Sequence, residues 1–279
     1  MKTPKLPQTV LNALASDEYK VRPGYSATTL IKPPQIKALQ DRYGDDEQDP
    51  ISRLWSVLGT AVHNVMEKNV SENACAETYI TMPWKDTTIH GTIDHYEDGV
   101  ISDFKVTSAW KAVRGDYSDW EQQLNIYAYL LSQEKPVHSL QIIGLFRDWS
   151  KMQATRSPDY PQAPVVTIPI TLWEPEVQYE FIDQRVQAHE MAASLEDNAL
   201  PECSDHDRWY TGTKYAVMKK GNKRAVKLHD NLDEATSHAA QDSKCYVEIR
   251  EGEHKRCMEY CPVASKCQQW RRLRENSNM

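Results

Sequence analysis

The sequence predicts an α/β fold, a mixed central sheet flanked by helices, with a cysteine-ligated subdomain at its C-terminal end. Three observations predict it. Two alternating runs meet at Asp98-Gly99, a dipeptide whose positive φ angles suit a two-residue turn between right-twisted strands. Helical periodicities before and after this hairpin alternate with short apolar runs of strand length. Cys203, Cys257, Cys261 and Cys267 then bracket the last segment. The expected organisation is a lead-in over residues 1–25, a core over 26–200, and a cysteine-rich region over 201–279 carrying a basic ββαβ insertion.

Residues 1–24 mix polar and apolar side chains, hold one short helix and end on the turn signal Arg22-Pro23-Gly24. Residues 26–40 read as a capped helix or turn broken at Pro33-Pro34, and the acidic stretch 41–49 reads as a solvated loop. From Pro50 onward Ile51, Leu54, Trp55, Leu58, Val62, Val65 and Met66 follow a helical period, and His63 and Glu67 share one face of that helix. Glu77 begins the strand before the hairpin. Residues 120–131 form an amphipathic helix, 139–149 a buried strand, 157–164 a proline-rich loop and 165–170 another strand. Residues 174–197 form a long helix with Pro175 in its first turn and Val177, Phe181, Ile182, Val186 and Met191 on its inner side. In the last region 215–219 and 224–228 are strands around Lys220-Gly221-Asn222, 232–241 is a helix and 246–250 a strand.

Hydrophobic residues at 40% and charged residues at 26% describe an ordinary globular chain of 279 residues. A formal charge of −7 gives no global attraction to nucleic acid, so such a partner must be held by a local patch or through metals. No apolar run approaches the roughly 18 residues of a membrane span, and a cytoplasmic protein without membrane partners is expected. Six cysteines are too few for a disulfide scaffold, and the three crowded between 257 and 267 read as metal or cluster ligands.

The hairpin carries the chemistry. Its turn makes residues pair when their numbers sum to 197, which sets Asp94 across from Asp103 and Ile93 across from Phe104. Alternation puts Asp94, Asp103 and Lys105 on one face and Ile93 and Phe104 on the other. Carboxylates face to face destabilise a sheet unless a cation lies between them, and a divalent ion with a preference for hard oxygen donors, Mg or Mn, suits the place. Lys105 would orient or help deprotonate an attacking water, or neutralise Asp103. Gln123 and Tyr127 are one helical turn apart; as plain helix residues Tyr127 would be core and Gln123 surface.

The helix segment GTAVHNVME with His63, followed about thirty residues later by Asp94 and then by Asp103-Phe104-Lys105, resembles motifs I to III of the RecB-like branch of the PD-(D/E)XK nucleases. Gln123-x-x-x-Tyr127 resembles the QxxxY motif of the same branch, and the resemblance runs from about residue 26 to residue 267. Ile93 stands where the family name has proline. The resemblance implies a PD-(D/E)XK restriction-endonuclease-like core and a Mg- or Mn-dependent deoxyribonuclease. In that pattern His63 and the backbone carbonyl of Phe104 join Asp94 and Asp103 as metal ligands, while Lys105, Gln123 and Tyr127 belong to the catalytic set. The histidine would favour Mn over Mg. Glu77 resembles an acidic residue often found there in the family, with a solvent-facing glutamate as the alternative.

The spacing Cys257-x3-Cys261-x5-Cys267 with Cys203 upstream departs from the paired knuckles of most zinc sites. It resembles the iron-sulfur staple of the AddAB-type nuclease domain and of the CRISPR-associated adaptation exonucleases. That resemblance implies a [4Fe-4S] cluster, with zinc as the alternative. Those proteins place the remote cysteine before the nuclease core; this chain has none before Cys75, so Cys203 is taken as fourth ligand, with Cys75 or Cys245 as replacements. Between the ligands Lys214, Lys219, Lys220, Lys223, Arg224 and Lys227 suit either a phosphate-backbone contact or protection of a sheet edge. Trp209, Tyr210 and Tyr215 beside them would stack on unpaired bases or pack inward.

Together these resemblances imply an exonuclease of phage or prophage type that works on DNA ends, single-stranded ones included, in recombination or repair. A recombination protein or further copies of the chain are its expected partners. A CRISPR-adaptation-type trimming nuclease and a non-catalytic nucleic-acid-binding module are the other readings.

Overall fold

The computed structural model describes residues 6–15, 22–47 and 49–276. Residues 1–5 and 16–21 of the expected lead-in lie outside the described residues. In chain order the helices are α1 (Gln8–Ala15), α2 (Ala27–Leu30), α3 (Pro34–Tyr43), α4 (Leu54–Glu67), α5 (Ala109–Arg114), α6 (Ser118–Leu131), α7 (Lys151–Arg156), α8 (Pro175–Ser194), α9 (Leu232–Ala239) and α10 (Gln268–Asn276). The strands are β1 (Tyr25–Ser26), β2 (Cys75–Trp84), β3 (Thr87–Glu97), β4 (Val100–Thr107), β5 (Ser139–Phe146), β6 (Val165–Ile170), β7 (Lys214–Lys219), β8 (Lys227–His229) and β9 (Cys245–Arg250). The chain divides into two compact units, residues 1–31 with 48–190 and residues 32–47 with 191–279. Residues 32–47, grouped with the core in the sequence reading, cluster with the cysteine-rich region.

The first unit is the expected mixed sheet flanked by helices. Its strands run β1-β3-β4-β5-β6, with β2 paired to the other side of β3. The turn at Asp98 and Gly99 has φ angles of 47° and 81°, the left-handed pair that closes a tight hairpin. From there β3 and β4 pair in the anticipated register, Glu97 with Val100, Tyr96 with Ile101 and His95 with Ser102. β4 then continues parallel to β5, and β5 antiparallel to β6. Near its start β3 is joined instead by β1, through Ile89 and His90. The partner of β3 on that side therefore changes partway along it, and the sheet forks.

The core beneath the fork joins Ile89, Ile93, Ile101, Leu140 and Ile142 to Leu124, Ile126 and Leu130 of α6 and to Ile182 and Val186 of α8. Burial of each such side chain stabilises by about 1.5–3 kcal/mol. The buried amide of Asn125 anchors α6: its oxygen accepts from the Trp173 backbone N–H at 2.8 Å and from Gln178 at 3.0 Å, and its nitrogen donates to the Thr171 carbonyl at 2.8 Å.

The helical period expected from Pro50 is met by α4, none of whose residues is buried; Leu54, Trp55, Leu58 and Val65 are exposed. Several expectations are corrected. On α8, Val177 and Met191 are exposed while Gln178, Ile182, Val186 and His189 are buried. Two polar residues hid this stripe, and they are tolerated because Gln178 bonds Asn125 and His189 Nε2 lies 3.3 Å from the Leu30 carbonyl. The strand expected over 139–149 stops at Phe146, because Asp148 turns to accept from Ser108 Oγ at 2.6 Å and from Ala109 N–H at 2.7 Å.

In the second unit the acidic stretch 41–49 is a solvated loop only in part: residues 44, 45, 47 and 49 are exposed and non-helical. α3 runs through Tyr43, and Asp46 accepts from the Ser265 N–H and the Lys266 ammonium, both at 2.8 Å. The ββαβ insertion is a three-stranded sheet in the order β8-β7-β9, against which α9 packs Ala235 and Ala239 around Val217. Tyr215 packs in that cluster, and Tyr210 stacks on His254. Among the described residues no helix is long and apolar enough to cross a membrane.

Gly91 of β3 meets α6 so closely that a Cβ there would overlap the ring of Tyr127. Gly91→Ala is expected to destabilise the protein by about 1–3 kcal/mol through overpacking, read as a lower urea midpoint with an unchanged slope.

Candidate metal and catalytic site

The site lies where the ladders around β3 are interrupted. β2 pairs with β3 at Ala76↔His95 and Thr78↔Ile93, but between them Glu77 adopts a φ of 47°, costly for a side-chain-bearing residue within a strand. On the other edge the β3–β4 ladder ends at His95↔Ser102. Asp94 and Asp103 are therefore not ladder partners, nor are Ile93 and Phe104. Instead the Asp94 side chain takes the place of a backbone acceptor, receiving the Phe104 N–H at 2.8 Å. Letting the strands part at this point relieves the direct opposition of two carboxylates.

His63, from α4, is the hub. Its Nε2 lies 3.0 Å from the Phe104 carbonyl, and its Nδ1 lies 3.4 Å from Glu77 and 3.5 Å from Asp94. The bond to Glu77, helped by the charges of Asp94 and Asp103, raises the imidazole pKa against the opposing effect of burial. Ligand atoms of His63, Glu77 and Asp94 all lie within 4.8 Å of one another. The Phe104 ring packs edge-on against His63 and His95, with centroids 6.1 and 6.2 Å apart.

Asp103, only 2% exposed, faces a second group of residues. Its Oδ1 accepts from Gln123 Nε2 at 3.1 Å, and its Oδ2 lies 2.7 Å from the Lys105 ammonium. That Oδ2 is buried and accepts no well-directed hydrogen bond. Gln123 also donates to the Tyr127 hydroxyl at 3.0 Å, while its oxygen lies 3.4 Å from Lys105. Burial opposes the charge on Lys105, but Asp103 and Asp94 outweigh it and raise the pKa. Burial and the Asp103 charge raise that of Tyr127.

The structure thus brings together all seven residues expected around the metal: His63, Asp94, Asp103, Phe104, Lys105, Gln123 and Tyr127. Gln123 is buried, so its reading as a plain surface residue is excluded. Glu67 is exposed on α4. Glu77 joins the convergent set, and the signal that places it, a left-handed strand residue, is not legible in a glutamate's identity. A divalent cation fits these donors on two grounds: an imidazole and two carboxylates converge, and Asp103 Oδ2 lacks a directed donor.

In the second unit Cys203, Cys257, Cys261 and Cys267 line a single cavity. Cys75 belongs to the other unit, where Lys135 donates to its sulfur at 3.3 Å, and Cys245 packs beside Val217. Both are half-buried rather than buried. The buried Gln35 oxygen lies 3.5 Å from the Cys203 sulfur and 3.4 Å from that of Cys267. Burial pushes the Cys203 thiol up to about 12 and the Cys257 thiol up to about 11, so both are protonated at neutral pH. Among the described residues no three of the sulfurs lie within 4.8 Å of one another. Tetrahedral zinc, with bonds of about 2.3 Å, would need edges near 3.8 Å.

No protein-family model and no curated protein matches the chain. The solved structure of SSO0001 aligns over 64% of this chain and 82% of its own, at 16% identity and a TM-score of 0.42. A structure solved as a "Putative exonuclease" from Eubacterium rectale aligns over 61% of this chain and 85% of its own, at 10% identity and a TM-score of 0.36. Likenesses this distant carry no chemical argument.

Burial first, and then the neighbouring Asp103 carboxylate, push Asp94 up to about 7. Because the folded pKa exceeds that of an exposed aspartate, ionising Asp94 costs stability as pH rises from about 4 toward 7. Asp94→Asn is therefore expected to raise the melting temperature of the metal-free protein at pH 8, by roughly 2–4 °C per kcal/mol relieved. Since metal and protons compete for this carboxylate and for the His63 imidazole, whose pKa is also raised, Mn²⁺ affinity by calorimetry should rise at least about tenfold per pH unit below 7.

Proposed function

We propose that this chain is a metal-dependent DNA nuclease of the RecB-like PD-(D/E)XK type, hydrolysing phosphodiester bonds at DNA ends. The observation that carries the reading is the side-by-side placement of two sets: His63, Glu77 and Asp94 within ligand distance of one another, and Lys105, Gln123 and Tyr127 arrayed around Asp103. A scaffold serving stability alone gains nothing from burying two carboxylates this close together.

His63, Glu77, Asp94, Asp103 and the Phe104 carbonyl would hold Mg²⁺ or Mn²⁺. When bound, such an ion lowers the pKa of a coordinated water and offsets charge on the phosphate. Lys105, kept protonated by Asp103, is suited to donate to the attacking water or to a phosphate oxygen. Gln123 fixes both Asp103 and the Lys105 ammonium, so it sets the angle at which that ammonium is presented. Tyr127 holds Gln123 in place from below.

For the second unit we propose a [4Fe-4S] cluster held by Cys203, Cys257, Cys261 and Cys267. The three-plus-one arrangement of these cysteines around one cavity supports it, with zinc as the alternative.

Asp103→Ala and Lys105→Ala are each expected to lower Mn²⁺-dependent degradation of end-labelled linear DNA by at least ~100-fold while the protein stays folded. Glu77→Gln should weaken Mn²⁺ binding, whereas Glu67→Gln should leave it unchanged; wild-type cleavage by either of the first two variants would reject the site. Protein purified without oxygen should be brown and contain about four irons per chain. Stoichiometric zinc without iron would reject the cluster.

A further inference from the structure

We propose that an exposed aromatic and cationic strip at the C-terminal ends of β4 and β5 binds an unpaired DNA strand, an inference that rests on the nuclease reading above. The basic hairpin expected to grip phosphate is partly spent: Lys214 pairs with Asp230, and Lys219 with Asp242 at 2.8 Å. In the first unit Arg114 and Arg147 form no ion pair among the described residues. The acid next to Arg147, Asp148, is committed to Ser108 and Ala109. On a chain with a net charge of −7, cations outside ion pairs are available to phosphate; Arg147 is one of them, although its charge helps to lower the Asp148 pKa.

Aromatic rings stand beside these cations. The Arg147 guanidinium lies 4.3 Å from the centroid of the Trp55 ring, and Trp55 is 49% exposed. Trp110, 47% exposed, sits one helical turn before Arg114 on α5. Its mount is rigid: the Trp110 ring meets buried Tyr160 at 5.7 Å, and the Tyr160 hydroxyl donates to the Asp148 carbonyl at 3.3 Å and accepts from the Ser150 N–H at 3.2 Å. Trp55 lies on the helix that carries His63, eight residues earlier or about 12 Å along its axis, and Trp110 follows Lys105 by five residues where β4 runs into α5.

Half-exposed indoles, one in contact with Arg147 and one a helical turn from Arg114, match the alternation of base and phosphate along a single strand. A duplex hides its base faces, so these rings have nothing to stack on there.

The test is fluorescence anisotropy of the full chain with a labelled oligo-dT of about twenty nucleotides, in EDTA so that no cleavage occurs, at several salt concentrations. Trp55→Ala and Trp110→Ala are each expected to weaken binding by about 5- to 100-fold with an unchanged salt slope, while Trp55→Phe retains most of the affinity. Arg147→Gln should weaken binding and flatten the salt slope by about 0.7. A duplex of the same length should be affected less. Wild-type affinity in variants that melt normally, equal losses on duplex, or no oligo-dT binding by the parent chain would each overturn the strip. A parent chain that binds oligo-dT through these residues but cleaves nothing with Mn²⁺ would reject the nuclease reading and uphold the strip. One that cleaves DNA while the variants bind normally would reject the strip alone.

Discussion

Two carboxylates buried close together cannot both ionise at little cost, and the local structure around Asp94 and Asp103 answers that constraint group by group. The strands part between them. Asp94 takes a backbone N–H and lies near His63, while Asp103 takes a lysine and a glutamine. What remains uncompensated appears as the raised pKa of Asp94 and the undirected Oδ2 of Asp103. A divalent cation would relieve both, and the cost in the metal-free chain would then correspond to affinity for the proposed ion.

The fork in the sheet turns this electrostatic constraint into geometry. Because β3 exchanges its partner from β4 to β1, Asp94 has no ladder partner at its own level, and its side chain is free to bond across the gap. α6 is brought close by the absence of a side chain at Gly91, which seats Tyr127, and Tyr127 in turn seats Gln123. The cysteine unit shows a related effect in sulfur: around one cavity, burial raises the pKa values of Cys203 and Cys257 and keeps both thiols protonated at neutral pH.

Much of this was legible from neighbouring residues. Asp98-Gly99 specified the turn and the register of its first three pairs, β6 matched its apolar run, and the Gln123-Tyr127 spacing placed both side chains on one helix face. The errors have a common origin. The stripe on α4 has the expected period, while the inner stripe of α8 contains Gln178 and His189, whose burial depends on acceptors far away in the chain. Periodicity reports that a helix has an apolar side, not which surface that side meets.

By itself, the sequence determined the elements whose geometry depends on adjacent residues: the hairpin turn, the strand alternation, the one-turn spacing of helix pairs and the clustering of three cysteines. Only the tertiary structure decided that the Asp94–Asp103 pair would splay, that Glu77 would twist toward His63, that Cys203 would line the cavity of the other three cysteines, and that Arg147 would lie over Trp55. The physical reason is that each of these contacts joins residues remote in the chain or is forced by such a contact. Burial and charge compensation across the folded unit select them, and no local preference of aspartate, glutamate, cysteine or arginine encodes that choice.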